Sequence, residues 1–169
     1  MAKAIVLLSA LCFLAIANIV NADSEMFDIE GKAFCDTCRL GFVTSLSETI
    51  EGATVSLACR NIETDKVTYT TEGKTDNTGK YKLTVEGDHE GDICAVSLVN
   101  SPKQDCKEVV PDLFTNRIMC SKNVGMHNAV RFANPLFFQK DKPIKGCREL
   151  VEQMELVDLM ILENDKKDA

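Results

Sequence analysis

Tryptophan is absent from this 169-residue sequence, and histidine occurs only twice. That leaves little for imidazole-based catalysis or for zinc chemistry, both of which draw on histidine. Cations are outnumbered: 19 Lys and Arg stand against 26 Asp and Glu, a net charge of −7, with an isoelectric point near 4.9. Such a balance argues against nucleic acid as a partner, since phosphate binding needs a basic face. No G-x-S-x-G, H-E-x-x-H or P-loop pattern occurs, and no N-x-[ST] sequon is present after residue 22. The chain also lacks internal repeats, low-complexity tracts and an interdomain linker, and its length suits one domain. With 45% hydrophobic and 27% charged residues it can build a core and stay soluble, which excludes disorder as its dominant state.

What the chain does have is cysteine, eight in all, and a leader. Lys3 is followed by an almost unbroken apolar run from Ala4 to Ala17, and Val20 and Ala22 suit the −3 and −1 positions of a cleavage site before Asp23. Residues 1–22 are expected to be a secretory signal peptide. An uncleaved anchor is the competing reading, but the run is short for a span and has no basic stop-transfer residues after it. Cleavage takes away Lys3 and Cys12, leaving a charge of −8 and seven cysteines, an odd number. A secreted chain, in the extracellular space or cell wall and without a membrane span after cleavage, meets an oxidising compartment. Its paired cysteines are then expected as disulfides.

Residues 23–148 read mainly as strands. Ala53, Val55, Leu57 and Cys59 alternate with polar residues, as do Tyr81, Leu83 and Val85, and Cys94, Val96 and Leu98 share a face within Ile93 to Val99. Val67 to Thr71 is β-branched and aromatic, and Asp76-Asn77-Thr78-Gly79 and Gly87 to Asp92 are turns. Phe27, Ile29, Ala33 and Cys35 share one parity, so a first strand runs into the Cys35–Cys38 corner. Asn116 to Cys120 fits a strand with Ile118 and Cys120 inward, and Val130 to Phe138 is apolar but carries Pro135, which suggests an edge or loop there. Strands punctuated by turns at short spacing point to an all-β sandwich or barrel. Residues 149–169 differ: Leu150, Met154, Val157 and Ile161 fall at helical spacing, opposite Glu149, Glu152, Glu155 and Asp158. This acidic tail, seven acids against two lysines, is expected to be a short helix on the body or a frayed end. A partner-binding helix is the sharper alternative.

Glu30-Gly31-Lys32-Ala33-Phe34-Cys35-Asp36-Thr37-Cys38-Arg39 resembles the signature of the plant pollen Ole e 1-like family, which includes pollen allergens and extensin-like secreted proteins. Ala33 and Phe34 replace the usual Val and Tyr, mild apolar changes. The likeness extends through Glu51 to Val55, Gly79-Lys80-Tyr81, Cys94, Cys106 and Asn134-Pro135-Leu136, covering about residues 27–147. Six cysteines allow 15 connectivities, which spacing cannot resolve; the resemblance implies Cys35–Cys106, Cys38–Cys147 and Cys59–Cys94. It also implies an antiparallel seven-stranded barrel or sandwich. Shared inward parity gives separate, limited support to the Cys59–Cys94 pair. Cys120 is left over, expected as a buried, inert thiol in a monomer; an intermolecular bridge is the alternative.

Two constellations invite chemistry. Cys35-Asp36-Thr37-Cys38 could be a redox C-x-x-C, yet the residues after Cys38 do not read as a helix start, and no second Cys/His pair completes a zinc site. Asp88, His89, Glu90 and Asp92 crowd one turn, where a solvated loop is the plainer reading than a metal site. His127 stands alone. No catalytic residue, metal or cofactor is therefore expected. The resemblance implies a non-enzymatic extracellular protein that binds a receptor or cell-wall component in pollen or wall development. The competing classes are a secreted hydrolase inhibitor, which would need a rigid exposed loop flanked by a bridge, and an extracellular enzyme, which would need an acid/base constellation.

Overall fold

The computed structural model describes residues 26–109, 116–122, 125 and 129–155; the expected signal peptide, His127 and the tail beyond residue 155 lie outside them. Ten strands and one short helix are described. The strands are β1 (Met26–Asp36), β2 (Glu48–Thr49), β3 (Thr54–Asn61), β4 (Val67–Lys74), β5 (Lys80–Glu86), β6 (Asp92–Asn100), β7 (Cys106–Glu108), β8 (Asn116–Ile118), β9 (Val130–Phe132) and β10 (Leu136–Lys140). The helix begins at 147 and is described as far as 155.

They form two sheets. One is antiparallel, in the order β4-β3-β6-β8; the other has six strands and is organised by β1. The first half of β1 pairs with β5 antiparallel and β9 parallel. Its second half pairs with β10 parallel and β2 antiparallel, and β7 flanks β10. The alternation in sequence puts the core between the sheets. Val55, Leu57 and Cys59 lie opposite Leu98, Val96 and Cys94 across β3 and β6, and all six are buried. Phe27 and Ile29 lie opposite Val85 and Leu83 across β1 and β5, and these join the same cluster. Full burial of each such side chain is worth about 1.5–3 kcal/mol.

A tight turn carries the chain from one sheet to the other. Between β4 and β5, Asp76 Oδ1 accepts from Thr78 N at 2.7 Å, Thr78 Oγ1 at 2.7 Å and Lys80 N at 3.0 Å, an Asx-type turn. Gly79 closes it with φ of +73°, and a Cβ there would sit 2.8 Å from the Ala33 carbonyl oxygen. Only glycine tolerates both the left-handed backbone and that approach.

The expectation of an all-β barrel or sandwich is met by two sheets with the core between them, while the seven-stranded antiparallel barrel is not what forms, in two respects. Among the described residues the sheets stay separate and no ladder closes them, and two partners of β1 run parallel to it. Parallel pairing is available because roughly a hundred residues separate β1 from β9 and β10, so no hairpin dictates direction. Pro135 falls between β9 and β10, where no ladder needs its missing N–H. The segment after it is no edge: β10 lies between β1 and β7, with Leu136 to Gln139 buried.

Candidate functional site

The signature segment lies at the end of β1, where the chain turns through residues 37–41. Five of its side chains are fully or almost fully buried: Ala33, Cys35, Asp36, Thr37 and Cys38. Asp36 accepts from the backbone amides of Cys38 (3.3 Å) and Gly41 (2.7 Å), so a buried carboxylate is held by donors of its own turn. Thr37 Oγ1 donates to the Leu46 carbonyl at 2.7 Å, and the Thr37 carbonyl accepts from Ile144 N at 3.2 Å. Arg39 takes a left-handed φ of 60° and aims its guanidinium at Glu108 in a two-pronged pair of 2.5 and 3.0 Å, with a further bond to the Lys140 carbonyl at 2.7 Å. The Arg39 hydrogen bond holds the Glu108 carboxyl below its ordinary range. Two disulfides complete this knot: Cys35–Cys106 joins β1 to β7, and Cys38–Cys147 joins the turn to the start of the helix. Cys35 and Cys38 are therefore not bonded to each other, and neither is a free thiol.

Glu30 and Gly31 lie earlier on β1. The Glu30 carbonyl accepts from Ala133 N at 2.9 Å, next to β9. Gly31 faces Tyr81 across the β1–β5 pair, and any Cβ there would overlap the tyrosine ring and hydroxyl. The aromatic thus covers the glycine, leaving the Tyr81 hydroxyl buried without a hydrogen-bond partner.

The acidic turn between β5 and β6 is bound up in its own hydrogen bonds. His89 Nδ1 is 3.2 Å from Asp92 Oδ2 and Nε2 is 3.2 Å from the Glu86 carbonyl, and the ring packs against Tyr69 with centroids 4.7 Å apart. Asp92 also accepts from Thr68 Oγ1 at 2.7 Å, and Asp88 from Lys122 N at 3.2 Å. The one place among the described residues where three metal-binding side-chain atoms converge is elsewhere, at Cys59, Cys94 and Cys120. Two of these are already bonded to each other, as Cys59–Cys94 between β3 and β6. Cys120 is free and buried.

A cavity of about 320 Å³ opens beside this sulfur cluster, lined among others by His89, Ile93, Cys94, Met119 and Cys120. A second groove, of about 440 Å³, runs along the outer face of the same sheet, between Arg60 and Arg117. Behind Cys120 sits a group that hydrophobic patterning does not reveal. Arg131 of β9 is buried while its neighbour Phe132 is 75% exposed. The guanidinium lies 3.6 Å from the centroid of the Phe27 ring and donates to the carbonyls of Met119 and, at 2.7 Å, Ser121. A basic residue inside a short apolar segment is the only signal of it in the sequence.

Comparison with known proteins agrees with this geometry. The family model described as "Pollen protein Ole e 1 like" matches residues 25–155. The anther-specific protein LAT52 of Solanum lycopersicum is 60% identical over 159 residues, covering 94% of this chain and 99% of that protein. Pollen allergen Che a 1 of Chenopodium album is 40% identical over 156 residues, covering 90% and 93%. Among solved structures, the major plantain pollen allergen Pla l 1 superposes with a TM-score of 0.66 at 34% identity, covering 72% of this chain and 99% of that one. With a family match across nearly the whole described fold, the chain belongs to the Ole e 1-like pollen protein family.

Proposed function

We propose that this chain is a secreted, monomeric, non-catalytic protein that binds an extracellular protein or a cell-wall component in pollen or wall development. One observation carries the reading: at the turn of the family signature, the carboxylate, the guanidinium and both cysteines are engaged internally. Asp36 is held by backbone amides, Arg39 by Glu108, and both cysteines by bridges. What remains for function is the shape and charge of a rigid surface. Likeness to an anther-specific protein and to pollen allergens supports the reproductive setting. Among the described residues no bridge brackets a short exposed loop of the kind an inhibitor presents, since the closest bonded pair is 35 residues apart.

The test uses mature, oxidised protein immobilised and exposed to pollen, pistil and cell-wall extracts. Saturable capture of a discrete component, competed by the soluble protein, is the expected result, with no turnover in broad hydrolase and oxidase screens. Turnover that survives repurification and vanishes on changing Asp88, His89 or Glu90 would overturn it. Secretion is checked by intact mass: the mature chain begins at Asp23, and a major species retaining Met1 to Ala22 contradicts the proposal.

A further inference from the structure

Cys120 is the one free cysteine of the described residues, and its sulfur lies within 4.8 Å of those of Cys59 and Cys94. We propose that these three cysteines form a thiol–disulfide exchange centre, in which the bridge moves from Cys59–Cys94 to Cys94–Cys120. The strand order selects the sulfur attacked. Cys94 lies on β6, the strand that β8 pairs with, opposite Ile118, which stands two residues before Cys120. Cys59 lies on β3, beyond β6 from β8. Cys120 gives up its proton to solvent, and its thiolate attacks Cys94 Sγ. The Cys94–Cys120 bond forms as Cys59–Cys94 breaks, and the electron pair leaves on Cys59 Sγ, which takes up a proton. One disulfide and one thiol become another disulfide and another thiol, so no outside oxidant or reductant is needed.

Arg131 positions the attacking residue. It donates to the carbonyls on both sides of Cys120, and the Cys120 carbonyl accepts from His89 N at 3.1 Å. Burial pushes the Cys120 thiol up to about 11, against the pull of the Arg131 charge and hydrogen bond. Other charged or titratable groups around the site are His89, Glu90 and Asp92 on the cavity wall, Arg117 on β8 and the Asp88 carboxylate at the Lys122 amide. The thiolate is the nucleophile, so exchange is slow at neutral pH and accelerates with alkali. Its structural consequence is specific. The starting bridge ties β3 to β6, which the ladder already pairs along their length. The product ties β6 to the segment just beyond the three-residue edge strand β8 and fixes the cavity rim from Arg117 to Ser121.

The mature oxidised protein is incubated without added thiol at about pH 6, 8 and 10, quenched in acid, denatured, alkylated and mapped without reduction. The expected product is a Cys94–Cys120 peptide pair with Cys59 alkylated, its rate of appearance rising about tenfold per pH unit below about 11. Cys35–Cys106 and Cys38–Cys147 stay intact, and Cys120→Ser abolishes the product. Cys59→Ser, mildly oxidised, closes Cys94–Cys120 directly. The proposal is overturned if Cys120 is the sole alkylated thiol at every pH, or if all seven cysteines scramble at comparable rates. It is equally overturned if folded Cys59→Ser keeps two thiols after oxidation. Should Cys59→Ser not fold, the wild-type map alone decides.

Discussion

At the scale of single residues, the signature is a set of satisfied valences. Asp36 is buried because two backbone amides point at it, and removing the acceptor strands both. Asp36→Ala is expected to cost about 2–3 kcal/mol, seen as a fall in melting temperature of about 6 °C at this size. Asp36→Asn keeps one oxygen and should lose less than half of that. Tyr81 presents the opposite case. Its hydroxyl is buried with no partner, and burial pushes its pKa well above the ordinary phenol value of 10.0. Replacing it with Phe removes an unpaired polar group at constant shape, so Tyr81→Phe should melt no lower than wild type; a clear drop would reveal a partner for that oxygen. Four surface carboxylates set the response to acid. Asp28, beside Lys82, and Asp76, beside Thr78, are held below the ordinary value of 3.8 chiefly by those hydrogen bonds. Lys140 does the same for Asp105, and Arg39 for Glu108, whose ordinary value is 4.5. Because folding depresses these groups, their stabilisation is present above the unfolded values and is lost as pH falls through the native ones. Calorimetry should therefore find a melting temperature that is level above about pH 6 and declines below about pH 4.

At the scale of elements, the long alternating strands and the short ones obey different logic. Each of β3, β5 and β6 buries alternate residues, and that period is written in the sequence. The helix from 147 is peripheral by comparison: Leu150, Val151 and Met154 are half-buried, while Glu149, Glu152, Gln153 and Glu155 are exposed. Cys38–Cys147 closes at its first residue, so the body is tied off before the helix departs. Truncation after Arg148 should leave the sheets folded and lower the melting temperature by less than about 8 °C. A larger fall would put Leu150 and Met154 in the core.

At the scale of the whole molecule, the described residues are held by three bridges that close loops of very different length. Sequence separations are 109 for Cys38–Cys147, 71 for Cys35–Cys106 and 35 for Cys59–Cys94. In the chain-entropy account they contribute about 4.8, 4.4 and 3.8 kcal/mol respectively, values that do not simply add. Paired Cys→Ser replacements should therefore destabilise in that order. Loss of Cys38–Cys147 has the further effect of freeing the helix and the turn at Thr37 together. Chemical denaturation of the three double variants measures the order. If removing Cys59–Cys94 proved the most damaging, packing at the sulfur cluster would outweigh loop closure.

How much of this fold is legible in the chain depends on the range of each interaction. Period-two alternation at Val55, Leu57, Tyr81, Leu83, Val96 and Leu98 states a buried face because adjacent side chains point opposite ways, and all six are in the core. The turn at Asp76 to Gly79 is legible for a related reason, since its bonds run between near neighbours. Strands β2, β7, β8 and β9 are two or three residues long, too short to show a period, and exist because a longer neighbour offers them a ladder. Direction is equally hidden: β9 and β10 run parallel to β1 through contacts roughly a hundred residues apart, which no local pattern encodes. The same holds for chemistry. Cysteine count and resemblance point to Cys59, Cys94 and Cys120 one by one, but their convergence, with Arg131 clamped across the third, arises only when β3, β6, β8 and β9 are brought together. Sequence determines which face of each strand avoids water; the tertiary structure decides which strands become neighbours, because that depends on packing summed over the whole core.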